Sequence, residues 1–185
     1  MDAIETIKND MFKVEIFVDD NPDNPRIEWD NSGKMVCWHN RYKLGDVGNP
    51  FSTTQAAQEY FDEHGSVFLP LYLYDHSGIT MKTTEFSDPW DSGQVGYIYI
   101  DPENIRKERC IEEITPEVRS KVEASLRAEV ETYDMYLTGQ VYGYTITDSN
   151  SKEVDSCWGF YGLEYAREEA QAALASTIKH AVVTG

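Results

Sequence analysis

Residues 115–137, TPEVRSKVEASLRAEVETYDMYL, form the longest amphipathic stretch of the chain and decide its fold. Thr115 offers a hydroxyl cap for a helix, and Pro116 suits the first helical position. At about 100° per residue, apolar side chains recur on one helical face. These side chains are Val118, Val122, Leu126, Val130, Tyr133 and Leu137. The stretch predicts a core-facing helix. Glu129 falls on the same face, where we expect it to reach solvent at the edge or to pair with an arginine.

Segments on both sides of this helix predict strands, several of them joined as hairpins. The predicted strands are 12–18, 26–29, 35–39, 67–74, 95–100, 140–147 and 153–160. Further helices are predicted from Ser52, Thr53 or Thr54 to Glu63, from Asp101-Pro102 onward, and over 163–181. Polar residues 75–94 predict a loop. Pro70 indicates an edge position or a bulge in its strand, and Gly96 a close approach by a neighbouring strand.

The order of these elements predicts an α+β fold, with a largely antiparallel sheet built from hairpins and about four helices packed on it. The length of 185 residues suits a single domain over 1–185. Paired strands separated by helices also hint at two similar sub-units, although no residue-level repeat accompanies them.

Charge restricts the classes of partner. The chain carries 33 Asp and Glu against 16 Lys and Arg, a net charge of −17. Such a surface repels nucleic acid and anionic lipid, so neither direct nucleic-acid binding nor membrane binding is expected. It attracts basic proteins instead, and proteins that bind nucleic acid are the commonest of these. An aromatic content of 12% places the charge on a folded body, since disordered acidic chains are poor in aromatic residues.

Cysteine usage and the start of the chain indicate a bacterial cytoplasmic protein. Cys37, Cys110 and Cys157 are odd in number and widely spaced, which argues against a disulfide framework and against a CxxC metal site. Residues 1–5, MDAIE, are acidic and do not read as a signal peptide. No apolar run approaches the length of a membrane span.

Several longer phrases carry a family resemblance. They are 39–46 (HNRYKLGD), 71–78 (LYLYDHSG), 89–99 (PWDSGQVGYIY), 131–134 (ETYD) and 155–162 (DSCWGFYG). Together they resemble a family of small acidic proteins carried by bacterial phages, plasmids and conjugative elements, to which we can assign no reaction. Such elements often encode anti-restriction and anti-CRISPR proteins, and several of those resemble DNA in charge. The resemblance therefore implies an anti-defence role, by analogy only.

The acidic surface is the first candidate for function. Residues 1–31 hold nine acids against three bases. The predicted partner-binding residues are Asp19, Asp20, Asp23, Glu28, Asp30, Glu112, Glu113 and Glu117. They predict an inhibitor of a basic nucleic-acid-handling host defence protein, with DNA mimicry as one mechanism and no cofactor. The alternative is a solvated surface tuned for solubility.

The loop from Asp19 to Asp30 matches part of a calcium-binding template. Asp19, Asn21, Asp23 and Asp30 occupy positions 1, 3, 5 and 12. Asn24 stands where the template needs glycine, and two prolines interrupt the loop. An ordinary acidic loop is therefore the favoured interpretation over a calcium site or a partner contact, and we assign no metal to the chain.

A polar cluster is the second candidate. His39, Asp75, His76 and Asp91 predict, as the alternative function, a hydrolase or metal-dependent enzyme, provided that strands 35–39 and 67–74 pair and bring the groups together. Arg41, Asp46, Ser77 and Ser92 accompany them. The same residues also read as ordinary turns, which is the favoured interpretation. A third hypothesis is self-association through the aromatic-rich sheet.

Overall fold

The computed structural model describes residues 2–184, with side chains described for 2–181. The strands are β1 (Glu5–Lys8), β2 (Phe12–Val18), β3 (Lys34–Cys37), β4 (Val67–Asp75), β5 (Ile79–Lys82), β6 (Ser92–Ile100), β7 (Val141–Asp148) and β8 (Glu153–Tyr161). The helices are α1 (Thr54–His64), α2 (Pro102–Arg109), α3 (Pro116–Leu137) and α4 (Leu163–Thr184). All strand pairs are antiparallel, which confirms the α+β class.

The chain forms two compact units. Unit 1 consists of Met1–Asp23 and Gly139–Gly185, and unit 2 of the intervening Asn24–Thr138. Each unit has its own four-stranded sheet, where the sequence predicted one sheet. The prediction of a single domain over 1–185 stays a prediction. Among residues 2–184, no helix combines the length and the apolar composition that crossing a membrane requires.

Unit 1 is a sheet of order β1-β2-β7-β8 with α4 packed on one face. Alternate residues of β2 and β7 face the helix, as the period-2 pattern of 12–18 predicts. The buried cluster consists of Val14, Ile16, Tyr144, Ile146, Phe160, Ala166 and Ala170. Arg167 of α4 donates to Glu5 of β1 at 2.7 Å, and this hydrogen bond lowers the pKa of the Glu5 carboxyl.

Unit 2 places one sheet, of order β3-β6-β4-β5, between two helices. The predicted stripe of α3 packs on one face, where Val122, Leu126, Val130 and Tyr133 are buried. Ala57 and Phe61 of α1 pack on the other face against Val36, Tyr97 and Tyr99. Thr53 caps α1, and Gly65, with φ 67°, ends it. Neighbouring residues of β3, β4 and β6 thus pack into opposite cores, so this part of the sheet is covered on both faces.

A buried arginine fixes the segment that precedes β3. The Arg26 side chain is 1% exposed and binds the carboxylates of Asp46 (2.7 Å) and Glu129 of α3 (2.8 Å). It also donates to the carbonyl of Gly33 at 2.7 Å. The backbone N–H of Gly33 donates in turn to Glu129 at 3.1 Å. The expectation that Glu129 reaches solvent or pairs with an arginine is confirmed, and the partner is Arg26.

Two carboxylates close the outer edges of the unit 2 sheet. Asp46 accepts the N–H of Met35 in β3 at 2.9 Å, and its own N–H donates to the Met35 carbonyl. Asp134 of α3 accepts the N–H of Met81 in β5 at 2.7 Å. Because an open sheet edge invites pairing with another chain, these contacts limit edge-to-edge association.

Several predicted elements need correction. Residues 26–29 are not a strand but a turn, because Arg26 is held by side chains and not by a ladder. Within the predicted loop 75–94 the structure has β5, and β1 was not predicted at all; both are only four residues long. Strands 35–39 and 67–74 do not pair directly, since β6 lies between β3 and β4.

The predictions for Pro70 and Gly96 are confirmed. β5 pairs with Tyr72–Asp75 only, so Pro70 lies where β4 has a partner on one side, and a bulge follows between Leu71 and Tyr72. A side chain at Gly96 would overlap the Val36 carbonyl oxygen of β3.

Replacing Arg26 with methionine should lower the free energy of unfolding by about 3 kcal/mol, because the half-buried Asp46 and Glu129 carboxylates would lose their buried cation. Denaturant unfolding followed by circular dichroism measures the change. Lys13→Met is the matched control. This variant removes the ion pair between Lys13 and Glu15, whose side chains are 36% and 25% exposed, respectively. Its loss should lower the free energy of unfolding by less than about 1 kcal/mol. Equal losses for the two variants would contradict the assigned role of Arg26.

The Cys37 thiol should react slowly with alkylating reagents. Burial, followed by the nearby Asp46 charge, raises its pKa from 9.0 to about 12, whereas Cys110 and Cys157 are exposed. The thiolate is the nucleophile, so at pH near 8 we expect Cys37 to label at least about 100-fold more slowly than the other two. Mass spectrometry of single-cysteine variants measures the rates, with unfolded protein as the control. Equal rates in the folded chain would be inconsistent with the described environment.

Candidate functional site

An open groove of about 310 Å³ in unit 2 gathers most of the predicted polar cluster. Its lining comprises His39, Arg41, Leu73, Asp75, Trp90, Asp91, Ser92, Gly93 and Val95. The β4–β6 ladder brings these together: Tyr74 lies opposite Ser92, and the Asp75 N–H donates to the Asp91 carbonyl at 2.8 Å. On the other side of β6, the Trp38 N–H donates to the Val95 carbonyl at 2.7 Å. The groups therefore converge through β6 and not through the direct pairing that was predicted.

Asp75 is engaged on both oxygens. Arg41 approaches Oδ2 at 3.2 Å, and the Tyr42 hydroxyl donates to Oδ1 at 3.2 Å. The Arg41 side chain is 69% exposed, so its guanidinium remains accessible to a ligand. This arrangement orients Arg41 across the mouth of the groove and reduces the local negative charge.

His39 serves the backbone of its own loop. Its Nδ1 accepts the N–H groups of Arg41 (3.3 Å) and Tyr42 (3.2 Å), and its ring stacks on Tyr42 at 5.1 Å between centroids. With Nδ1 accepting, the neutral ring carries its proton on Nε2. His39 can therefore donate to a ligand, but it is not placed as a general base through Nδ1.

His76 and Asp91 form the one imidazole–carboxylate contact within residues 2–181. Their Nδ1 and Oδ2 atoms are 2.8 Å apart, and the side chains are 63% and 41% exposed. Such a pair can orient an imidazole for proton transfer. In the described part of the chain, however, no serine, threonine or cysteine hydrogen-bonds the His76 ring, and Ser92 donates to the carbonyl of Asp88 instead. The pair thus has an orienting carboxylate but no attached nucleophile.

Trp90 projects from the rim of the groove with 92% of its surface exposed. Its turn is ordered, because Asp88 accepts the Trp90 N–H at 2.9 Å. An indole held in solvent by a structured turn is typical of contact residues in protein interfaces. In the sequence Trp90 stands only within the phrase 89–99, and its exposure follows from the turn.

Three of the predicted partner-binding acids lie in unit 1, at one end of its sheet. The Asp19 N–H donates to the Val141 carbonyl at 2.8 Å, and the Tyr161 hydroxyl donates to the Asp23 carbonyl. Asp20 and Asp23 are exposed. Asp19, Asp20 and Asp23 therefore surround the point where β2 ends, β7 begins and β8 ends.

The other five acids lie at two places in unit 2. Glu28 and Asp30 are exposed on the loop that Arg26 anchors. Glu112, Glu113 and Glu117 surround the turn from α2 to α3, where a hydrogen bond from Thr115 lowers the pKa of Glu117. Glu117 and Glu129 are about 18 Å apart along the α3 axis at 1.5 Å per residue. Within unit 2 the predicted acids thus form two separate groups.

Most carboxylates have no cation beside them. Within residues 2–181, eight carboxylates form ion pairs with Lys, Arg or His: Glu5, Glu15, Asp46, Asp75, Asp91, Glu123, Glu129 and Glu164. The chain has 33 Asp and Glu. The negative charge of the sequence therefore stays largely uncompensated at the surface.

The described residues contain no group of three or more His, Cys, Asp or Glu side chains arranged to hold a metal ion. In the calcium-like loop, Asp19 accepts the N–H of Asn21 at 3.0 Å, as in an ordinary Asx turn. A larger cavity of about 520 Å³ lies beneath Asp46–Pro50, with Lys34 and Tyr99 in its wall. Its carboxylate, Asp46, already binds Arg26 and Met35, so the cavity offers little chemistry.

Comparison of the chain with family models, with curated proteins and with solved structures finds no match. The resemblance to small acidic proteins of mobile elements stays an expectation from the sequence.

Proposed function

We propose that this chain is a binding protein of the bacterial cytoplasm, which presents its acidic surface to a basic, nucleic-acid-handling protein of host defence and inhibits it. The observation that supports this proposal best is the large number of carboxylates without an ion-pair partner in the described residues. Uncompensated surface charge costs self-repulsion, and binding of a basic partner relieves it.

Location of the acids favours contact with a partner. Asp46 and Glu129 are half-buried and bind Arg26, whereas Asp20 and Asp23 are exposed on a loop that hydrogen bonds tie to the sheet. Charges held on a rigid support lose little conformational entropy on binding. Carboxylates in such a position can replace the phosphates of DNA, which carry one negative charge per about 1.7 Å of duplex axis. DNA mimicry is thus the mechanism that we favour.

The family resemblance supports the anti-defence role, because proteins of phages, plasmids and conjugative elements meet restriction and CRISPR enzymes in the host. Those enzymes bind DNA through basic clefts. A basic cleft would attract this chain, speed its association and bind it most tightly at low salt.

Immobilised protein should retain basic nucleic-acid-binding proteins from nuclease-treated bacterial lysate, and they should elute early in a salt gradient, because salt screens exposed charges.

The variant Asp19→Asn/Asp20→Asn/Asp23→Asn should weaken this retention by about tenfold or more at low salt. Glu59→Gln/Asp62→Asn/Glu63→Gln, on exposed residues of α1, is the control with the same change in net charge. Retention of no basic protein, or retention that ignores salt, would contradict the proposal. Equal weakening by both variants would overturn the assignment to Asp19–Asp23.

A hydrolase is the second candidate, and the 2.8 Å contact between His76 and Asp91 at the groove favours it. The candidate predicts turnover of chromogenic ester or phosphodiester substrates, with a loss of about 100-fold or more in His76→Ala, because the ring would be the general base. His64→Ala, which removes an exposed imidazole from the end of α1, is the control. Absence of turnover, or equal rates in the two variants, would refute the hydrolase.

A further inference from the structure

Strand β8 ends the unit 1 sheet and leaves one edge open. It pairs with β7 on one side, and among residues 2–184 no strand pairs with the other. Its nine residues span about 30 Å at 3.3 Å per residue. Six of the nine are exposed. Two bulges interrupt the strand, so its regular stretch is Asp155–Cys157, which lies around the exposed Ser156.

The other sheet edges are blunted, each in its own way. Asp46 covers β3 and Asp134 covers β5, as described above. β1 has only four residues and ends at Lys8, and both short length and lysine discourage edge pairing. β8 has no lysine, arginine or proline within its bounds. Two bulges in β8 also discourage pairing, but the regular stretch between them, Asp155–Cys157, stays open on its outer side.

Hydrogen bonds of β7 show which groups of β8 face outward. Asp148 donates to Lys152 at 2.9 Å, and Gln140 accepts from Gly162, so even-numbered residues of β7 turn their backbone toward β8. Val141 accepts from Asp19 on the opposite side. Backbone direction alternates along a strand, so Thr145 turns away from β8 and its partner Ser156 directs its N–H and C=O to the open edge.

The Trp158 ring of β8 is directed across β7 toward β2, away from the open edge. Trp158 lies over Gly143, where an added side chain would overlap its ring, and it stacks with Phe17 at 6.2 Å between centroids. Trp158 is 42% exposed and Val154 44% exposed.

Charge selects the occupant. β8 carries Glu153 and Asp155 and no base, and the whole chain has a net charge of −17. A second copy would bring acids against acids, and like charges on facing strands are destabilising. Lysine or arginine on an added strand would meet opposite charge instead.

We propose that the open edge of β8 binds an extended, lysine- or arginine-bearing segment of the basic partner by strand addition. Main-chain hydrogen bonds to Ser156 provide affinity, and the acids of β8 provide selectivity. The inference rests on the proposed function and names the part of the partner that is bound.

The probe is a ten-residue peptide of alternating lysine and valine. The control is the same peptide N-methylated at its two central residues. Adjacent residues of an extended peptide direct their N–H groups to opposite sides, so the two methyl groups block hydrogen bonding on both sides of the peptide. The first peptide should slow amide exchange of Ser156 about tenfold or more, and the second should not, because only the first can extend the ladder. Exchange is read by NMR on the full chain. Equal effects of the two peptides, or none from either, would overturn strand addition.

Ser156→Pro removes the outward N–H and leaves the β7 ladder intact, since proline is tolerated where the N–H of an edge strand faces solvent. Ser156→Ala keeps the N–H and loses the same hydroxyl contact with Glu153. The proline variant should bind the lysine–valine peptide about tenfold more weakly than the alanine variant. Equal binding of the peptide by the two variants would overturn the inference. It would leave the proposed function standing if basic proteins were still retained in a salt-dependent way. If light scattering shows a dimer that Ser156→Pro dissociates, the occupant is a second copy and the proposal for a basic segment is wrong.

Discussion

Unit 2 depends on one buried cation. Arg26 joins three parts of the chain that lie far apart in sequence: the loop before β3, the turn after it and the middle of α3. Removing a charge from water costs several kcal/mol, and here two carboxylates and a carbonyl compensate it. The same contacts position Asp46 to close the β3 edge and lead the chain into the loop of His39 and Arg41. The position of the groove therefore depends on the buried Arg26 and its ion pairs.

Acidic residues of this chain serve two physical purposes. A few are half-buried: Asp46, Glu129 and Asp134 accept backbone N–H groups and hold elements together. Many others lie on the surface without a cation, where they raise the cost of self-association and favour basic partners. At the open edge of β8, unpaired backbone groups lie beside the acidic side chains Glu153 and Asp155. Charge would select the partner, and backbone hydrogen bonding would hold it.

Periodic features could be predicted from the sequence, and long-range ones could not. The stripe of α3, the caps at Thr53 and Thr115, and the close approach at Gly96 follow from local rules, and each is confirmed. The short strands β1 and β5 gave too few residues for a period-2 signal. The sequence hinted at two sub-units but did not locate their boundaries, because it carries no linker at Asp23 or Thr138. Arg26 gave no local signal either, since its partners lie 20 and 103 positions away.

Most residues that line the groove were predicted from the sequence, but the strand pairing that brings them together was not, because β6 lies between β3 and β4.

Whether charge drives recognition is the central question, and the association rate answers it most directly. Stopped-flow measurement of the rate constant between this chain and the basic protein that it retains most strongly should be made over a range of ionic strength. The account predicts a fall of about tenfold or more from low to physiological salt. A rate constant that does not change with salt would contradict it.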